Sequence, residues 1–583
     1  MLFNVLKKCS CFFLKWVGDI LKSVISILIV VFLFLAGFSI WAQSYYEQKP
    51  VRPNGNSFLF IDFSKVKKTN DEISYQELFQ PKVDIKIITD AIQAAENDNN
   101  ILGIFAYTGN SQLSFADCQE VMSYIKSYRK KTNKPTYVFS QLYNRINYLL
   151  ASSFETIYIQ PSGEIDFTGF SDERYFLKDF FENIGVHVDY LRRYEYKGAI
   201  ETYTQERMSN EVKSNLQALQ EDMFSQYKEA VSINRKITKD VIDNIFLKPF
   251  VLPWEAKRVG LVSEVAYVED FINPNNAKVK PQWISVVDYL SSKPKKLKKH
   301  KIGFIKAEGV VTSSASGVSI YNESYITPKK LVQNVKRAVQ SGVDGLVIYI
   351  NSPGGSHIAS DSIWHSLKQI KEENNIPLAV IMGNVAASGG YYIAMASDYI
   401  VAQPSTITGS IGVYMAKFSF EDLSDLFGVR WSYIDVGPRS NIDKVSKKLS
   451  LHDKEILNAS IDDAYRQFLA VVKEARNISL DKIDDIARGR VFSGYAAYKN
   501  GLVDALGGKE QVKAFFAKKF NVKNVDIDLI DMTDKVDPLE YIWSTFFNLQ
   551  INSLLNGFKA VFMQGGGVMP EGHRRLMMYP QNF

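Results

Sequence analysis

The chain carries its pattern twice, and that repetition constrains the fold more than any other feature. Ala151–Pro161 (ASSFETIYIQP) parallels Met395–Pro404 (MASDYIVAQP), with Pro161 and Pro404 243 positions apart. Leu177–Val186 parallels Phe420–Val429 at the same offset. Ile237–Asp240 then matches Ile478–Asp481, and Gly260–Val262 matches Gly501–Val503, both 241 positions apart. A chain of 583 residues is too long for one hydrophobic core, and a repeat of this period divides it into two homologous domains in series. Strands alternate with amphipathic helices in each copy. In the second, Thr327-Pro328 gives an N-cap and a first-turn proline, Leu331, Val332, Val335, Ala338 and Val339 share one face, and a β-branched run begins at Gly345. The expectation is βαβ units with parallel pairing, over residues 48–290 and 302–532. Helical stretches at about 211–232 and 450–490 are expected to be arms packing one repeat against the other.

Two glycine loops carry the candidate chemistry. The apolar run Leu378–Met382 reads as a buried strand ended by Gly383. Asn384-Val385-Ala386-Ala387-Ser388-Gly389-Gly390 follows, and then a plausible helix from Tyr391. A serine at a strand-to-helix turn has unpaired backbone N–H groups beside it and small neighbours that let a substrate backbone approach. Alone it reads first as an ordinary helix N-cap in a Gly-rich turn. Upstream, the strand Gly345–Ile350 runs into Asn351-Ser352-Pro353-Gly354-Gly355-Ser356. Paired glycines after a strand suit backbone donors for an oxyanion, though Ser-Pro-Gly-Gly is also turn-forming sequence.

Asn-Ser-Pro-Gly-Gly, then Ala-Ala-Ser-Gly-Gly-Tyr-Tyr, then Pro404–Gly412 (PSTITGSIG) resembles the signal peptide peptidase A (protease IV) family, in its long tandem-domain form and over the whole chain. The resemblance implies α/β architecture, as two tandem Clp-protease/crotonase-like domains, and a Ser-Lys peptidase. It implies Ser388 as nucleophile, the amides of Gly355 and Gly389 as oxyanion donors, and Ser410 as the residue orienting the lysine. Tyr194-Glu195-Tyr196-Lys197-Gly198-Ala199 resembles the family segment holding the general base, which implies Lys197. Without the resemblance Lys197 is one surface lysine among many. A lysine acts as base only when neutral, so it must be buried.

The repeats divide these pieces. At the 243 offset Ser388 falls opposite Arg145, Gly354 and Gly355 opposite Ser111 and Gln112, and Lys197 opposite Ser440. Each half carries what the other lacks. His357 and His365 are nearest the serine in sequence and read as packing or surface groups, leaving no Ser-His-Asp set.

Composition is that of a globular protein, 46% hydrophobic and 23% charged, with a mild net charge of +6 that makes no case for nucleic acid. Val24–Trp41 is uncharged and long enough to span a bilayer. Lys7, Lys8, Lys15 and Lys22 precede it, which places the N-terminus inside. Residues 1–47 are thus expected to be a stub and an uncleaved anchor, with the domains on the periplasmic side of a bacterial inner membrane. Cys9 and Cys11 lie on the inner side; only Cys118 lies beyond the anchor, so no intrachain disulfide is expected there. No metal or cofactor is expected. The basic stretch 291–301 reads as a solvated linker, and 533–583 as a tail whose part 541–563 is amphipathic. Taken together, the expected activity is endopeptidase cleavage of released signal peptides and other apolar, extended peptides, in a homo-oligomer of four chains. The alternatives are a non-catalytic ring-forming scaffold and a crotonase-type acyl-CoA enzyme.

Overall fold

A computed structural model describes residues 52–66, 83–272, 281–294, 298–313, 325–440 and 442–533, with positions 22, 26, 30 and 37 isolated before them. The expected anchor at 24–41, Cys9, Cys11 and the tail segment 541–563 lie outside the described residues, the isolated positions aside. Among the described residues no helix is long and apolar enough to cross a membrane.

The first repeat supplies β1 (Ser57–Asp62), β2 (Ile101–Tyr107), β3 (Thr136–Ser140), β4 (Thr156–Ile159), β5 (Ile165–Asp166), β6 (His187–Arg193), β7 (Phe250–Val251), β8 (Glu264–Val265) and β9 (Gln282–Ser285). The second supplies β10 (His300–Glu308), β11 (Val310–Val311), β12 (Tyr325–Ile326), β13 (Gly345–Ser352), β14 (Leu378–Ala387), β15 (Tyr399–Ala402), β16 (Ile407–Gly409), β17 (Val413–Ser419), β18 (Val491–Ser493), β19 (Ala505–Leu506) and β20 (Ile527–Asp531). The parallel sheet of the first runs β8-β4-β3-β2-β1-β9, and that of the second β19-β15-β14-β13-β10-β20. Strand for strand the order is the same. Each repeat also has a short antiparallel pair, β5 with β7 as a separate ribbon and β16 with β18 joined to the main sheet through β14. The duplication read from the sequence is a duplication of topology.

Helices α1 (Ile85–Ala95), α2 (Phe115–Thr132), α3 (Arg145–Ala151) and α4 (Asn210–Arg235) belong to the first repeat. Helices α5 (Pro328–Gln340), α6 (His357–Glu373), α7 (Gly389–Ala394), α8 (Leu451–Arg476) and α9 (Lys509–Phe520) belong to the second. Thr327 caps α5 through the amide of Lys330, and Pro328 opens the helix. Parallel strands are covered on both faces, so successive residues of β13 enter different cores. Ile348 joins Val380, Ile363 and Leu367 on one side; Val347 joins Phe304, Val512 and Phe516 of α9 on the other.

Two expectations need correction. Gly383 does not end its strand: β14 continues to Ala387 and changes partner there, from β15 to β16. A Cβ on Gly383 would stand 2.5 Å from the Tyr349 hydroxyl, so the glycine marks a close approach inside a strand. The basic stretch is also not simply solvated. Lys293 pairs with Asp98 in the first repeat, and Lys298 lies 3.4 Å from Asp528 in the second.

The repeats interlock through exchanged arms. β6 of the first pairs antiparallel with β17 of the second, from Arg193↔Val413 to His187↔Ser419. α8 braces that ribbon, with Asp462 accepting from Arg193 at 2.6 Å. In return α4 reaches the second repeat, where Asn215 exchanges two hydrogen bonds with the backbone of Val491, at 2.9 and 3.0 Å.

Candidate active site

The serine turn is built from the end of β14. Ser388 has φ +53° and ψ −118°, a conformation few residues with a side chain adopt. Its amide donates to the Gly409 carbonyl at 2.9 Å, and its own carbonyl accepts from Tyr392 at 2.9 Å. Ser388 holds the N-cap position of α7, yet its hydroxyl caps nothing. The side chain turns instead towards the first repeat.

The upstream loop packs backbone to backbone against this turn. A Cβ on Gly354 would stand 2.7 Å from Cβ of Ser388 and 2.8 Å from the Gly389 nitrogen. A Cβ on Gly355 would stand 2.0 Å from the Val311 carbonyl oxygen. No side chain fits at either position, and this is why the loop needs both glycines. Val311 pins the loop on both sides of Gly355, donating to Gly354 and accepting from Ser356, each at 2.8 Å. The amides of Gly355 and Gly389 have no hydrogen-bond acceptor among the described residues. A Cβ on Gly389 would lie 3.1 Å from the Gly355 nitrogen, so the two amides belong to one small region beside Ser388.

Lys197 arrives from the other repeat, four residues past the end of β6. Its Nζ lies 2.9 Å from Ser388 Oγ, 2.9 Å from Ser410 Oγ and 2.9 Å from the Ser410 carbonyl oxygen. All three neighbours are neutral oxygens. Lys197 is only 4% exposed, and burial without a compensating carboxylate pulls its pKa down from 10.5 to about 7. Ser410 has φ +50° and donates its amide to the Arg490 carbonyl at 2.6 Å.

Ser388, Lys197, Ser410, Gly355 and Gly389 thus come together in one chain, although Lys197 and Ser388 are 191 residues apart. The histidines stay out of it. His357 lies 3.2 Å from Gln467 and edge-on to Tyr392, and the ring of His365 lies beside Trp364. Among the described residues no cluster of His, Cys, Asp and Glu is arranged to hold a metal, and Cys118 is a buried free thiol.

The corresponding place in the first repeat is filled in. Arg145 stands where Ser388 does and donates to the Gly169 carbonyl, with Phe170 beneath its guanidinium. Ser111, opposite Gly354, donates to Asn147 at 2.6 Å. Ser440, opposite Lys197, is exposed. Sequence reading missed the β6–β17 ribbon that delivers the lysine. The only trace of it was the alternation in His187–Arg193. It also missed Asn351, whose side chain accepts from the Val385 amide at 3.1 Å and ties the two loops together.

The model of the Peptidase family S49 matches this chain twice, at residues 128–281 and 370–523. The chain belongs to peptidase family S49. The first S49 match contains Lys197, and the second contains Ser388 and Ser410. Protease 4 of Haemophilus influenzae is 30% identical over 72% of this chain and 70% of its own. Protease 4 of Salmonella typhi is 28% identical over 88% of this chain and 87% of its own. A chloroplastic serine protease SPPA of Arabidopsis thaliana is 26% identical over 75% of this chain and 66% of its own. A solved ClpP1 mutant from Listeria monocytogenes overlaps 36% of this chain and 92% of its own, with 18% identity and a TM-score of 0.24, too low to equate the two folds.

Proposed function

We propose that this S49 peptidase is a serine endopeptidase with Ser388 as nucleophile and Lys197 as general base. One observation carries the reading: a buried lysine amine with no acidic partner stands 2.9 Å from the hydroxyl of a serine held out of its capping role. A neutral amine has two N–H bonds and one lone pair. Donating to both oxygens of Ser410 leaves the lone pair for the Ser388 hydroxyl proton. As Oγ attacks the scissile carbonyl, that proton passes to Lys197, and the oxyanion falls to the amides of Gly355 and Gly389. The lysine then protonates the departing amine and, neutral again, takes a proton from the water that attacks the acyl group and returns it to Ser388 Oγ as the acid is released. This sequence needs no metal or cofactor.

The substrates we propose are extended, apolar peptides, cleaved signal peptides among them, bound by strand addition beside the glycine loops. The site is placed outside the cytoplasm by an anchor at 24–41. We further propose a head-to-tail homotetramer. The internal symmetry supports this. Residues 430–436 are the repeat counterpart of β6, and 170–176 of β17. Among the described residues neither segment forms a β-strand, and Trp431, Ile434, Val436 and Tyr175 are exposed. Gly185, beside β6, would place a Cβ 2.6 Å from the Leu423 nitrogen. Its counterpart Gly428 faces open space. The unfilled half of each contact suits a second copy of the chain.

The test is labelling of the serine with a fluorophosphonate, together with hydrolysis of a fluorogenic apolar peptide. Both are expected in the native chain and in neither Ser388→Ala nor Lys197→Ala. Full hydrolysis by either variant would overturn the assignment.

A further inference from the structure

A short segment of the second repeat threads between the lysine loop and Ser410. The Arg490 carbonyl accepts from Ser410, and Gly489 donates to the Ile411 carbonyl at 2.9 Å. The Arg488 carbonyl accepts from Tyr194 at 3.3 Å. Gly489, at φ +90°, lies flat on the lysine: a Cβ there would stand 2.5 Å from the Lys197 nitrogen and 2.7 Å from its Cα. The flanking guanidiniums cover the two tyrosines that precede Lys197. Arg488 sits 5.2 Å from the ring centre of Tyr194, and Arg490 4.0 Å from that of Tyr196.

The fold does not require these residues. β7 and β18 are counterparts at an offset of 241, yet Arg488-Gly489-Arg490 falls opposite Leu247-Lys248-Pro249. Leu247 is 82% exposed and touches no lysine loop. Arginine, glycine and arginine appear only in the repeat that faces Lys197.

The charges around Lys197 suggest why. Four carboxylates belong to this loop or to the arginines around it: Glu195 and Glu201 in the chain beside Lys197, Asp484 against Arg488 and Asp462 against Arg193. Arg192 holds Glu201 at 2.7 Å, with Ser209 at 2.6 Å. Arg488 holds Glu195 at 3.0 Å and Asp484 at 3.3 Å. Arg193 holds Asp462 at 2.6 Å, Arg490 lies over Tyr196, and Arg192 also reaches the Lys197 carbonyl, at 3.5 Å. Each carboxylate is engaged by an arginine, so none is left for the amine.

We infer that Arg488-Gly489-Arg490 is a positioning strap for the general base. Gly489 closes over the Lys197 backbone, Arg490 fixes Tyr196 and through its carbonyl Ser410, and Arg488 withholds Glu195 from the amine. The inference rests on Lys197 acting as base. Its test is the pH dependence of kcat/KM of the full-length protein in mild detergent on a fluorogenic apolar peptide. Freed of Arg488, Glu195 stabilises the protonated lysine, so Arg488→Met moves the acid limb to higher pH. A rise of about one unit lowers the rate about fivefold at pH 7 and leaves it unchanged at pH 9. Adding Glu195→Gln to Arg488→Met returns the limb to its native position. Arg490→Met lowers kcat at all pH values with KM unchanged, and Arg490→Lys rescues little, because an ammonium does not stack as a guanidinium does. An Arg488→Met profile that superimposes on the native one, or a shift that survives Glu195→Gln, overturns the strap. Lys197→Ala separates the two ideas: activity in that variant sinks the base itself, whereas its inactivity beside an unshifted Arg488→Met sinks the strap alone. Should Arg488→Met not accumulate as folded protein, Arg488→Gln carries the same expectation and the same overturning result.

Discussion

At the scale of the residue, Ser388 and Lys197 each occupy a state that costs stability. The left-handed backbone of Ser388 costs on the order of 1–2 kcal/mol. Lys197 titrates near 10.5 when unfolded and about 7 when folded. Between those values the unfolded chain holds a proton that the folded chain lacks, so stability rises with pH across the window and the cost is fully felt below pH 7. Lys197→Met removes it. At pH 7 that variant is expected to melt higher than the native chain while losing hydrolysis, and the gain should vanish near pH 10.5; a lower melting temperature at pH 7 would contradict the buried, unpaired amine. Under the proposed mechanism the same titration governs rate. Activity is expected to rise through a single step near pH 7 and then level, as the amine loses its proton. A flat profile from mildly acid to alkaline pH, with chemistry limiting, would exclude a lysine base. Ser388→Ala and Lys197→Ala should each cost nearly as much as the double change, because the two act as one unit.

At the scale of the element, the site depends on two backbone arrangements that side chains cannot share. Gly355→Ala drives a Cβ into the Val311 carbonyl and must turn the loop amide away. Losing one oxyanion donor lowers kcat by about 10²–10³ with little change in KM. A burst experiment that found KM alone altered would remove Gly355 from the oxyanion site. The ribbon of β6 and β17 is the second arrangement. Gly185→Val clashes with the Leu423 backbone at the root of the ribbon and displaces the strand that carries Lys197. It is expected to lower peptidase activity at least tenfold while circular dichroism stays close to native.

At the scale of the whole molecule, the proposed assembly would use one contact twice. Within the chain the ribbon joins unlike repeats and assembles the site. The repeat counterparts of its strands, 430–436 and 170–176, lie in opposite repeats. Gly428 has φ +71°, which asparagine tolerates best among residues with a side chain, and a Cβ there meets nothing among the described residues, so Gly428→Asn is expected to leave the protomer folded while blocking the counterpart of the Gly185 contact. Ile434→Asp adds a charge to the same surface. Both variants are expected to give single chains in mild detergent where the native protein gives tetramers, read by mass. A native monomer, or a Gly428→Asn tetramer, would refute the head-to-tail arrangement.

Much of this was legible in the chain itself. Repetition at a fixed offset gave two domains of one topology, because a period in sequence is a period in packing. Glycine pairs after β13 and β14 marked the candidate site because only glycine lets two backbones come so close: a Cβ on Gly354 would stand 2.8 Å from the Gly389 nitrogen, and one on Gly355 2.0 Å from the Val311 carbonyl oxygen. The complementary losses, Arg145 for Ser388 and Ser440 for Lys197, pointed to pieces on different repeats. What the chain could not disclose was how those pieces meet. Nothing local to Tyr194–Lys197 shows that β6 leaves its own sheet to pair with β17, or that Arg488-Gly489-Arg490 closes over the lysine from 291 residues away. Burial is a property of what packs against a group, not of the group. The same lysine sequence in water would stay protonated at neutral pH, and only the closure of one repeat on the other leaves its amine dry, unpaired and 2.9 Å from a serine hydroxyl.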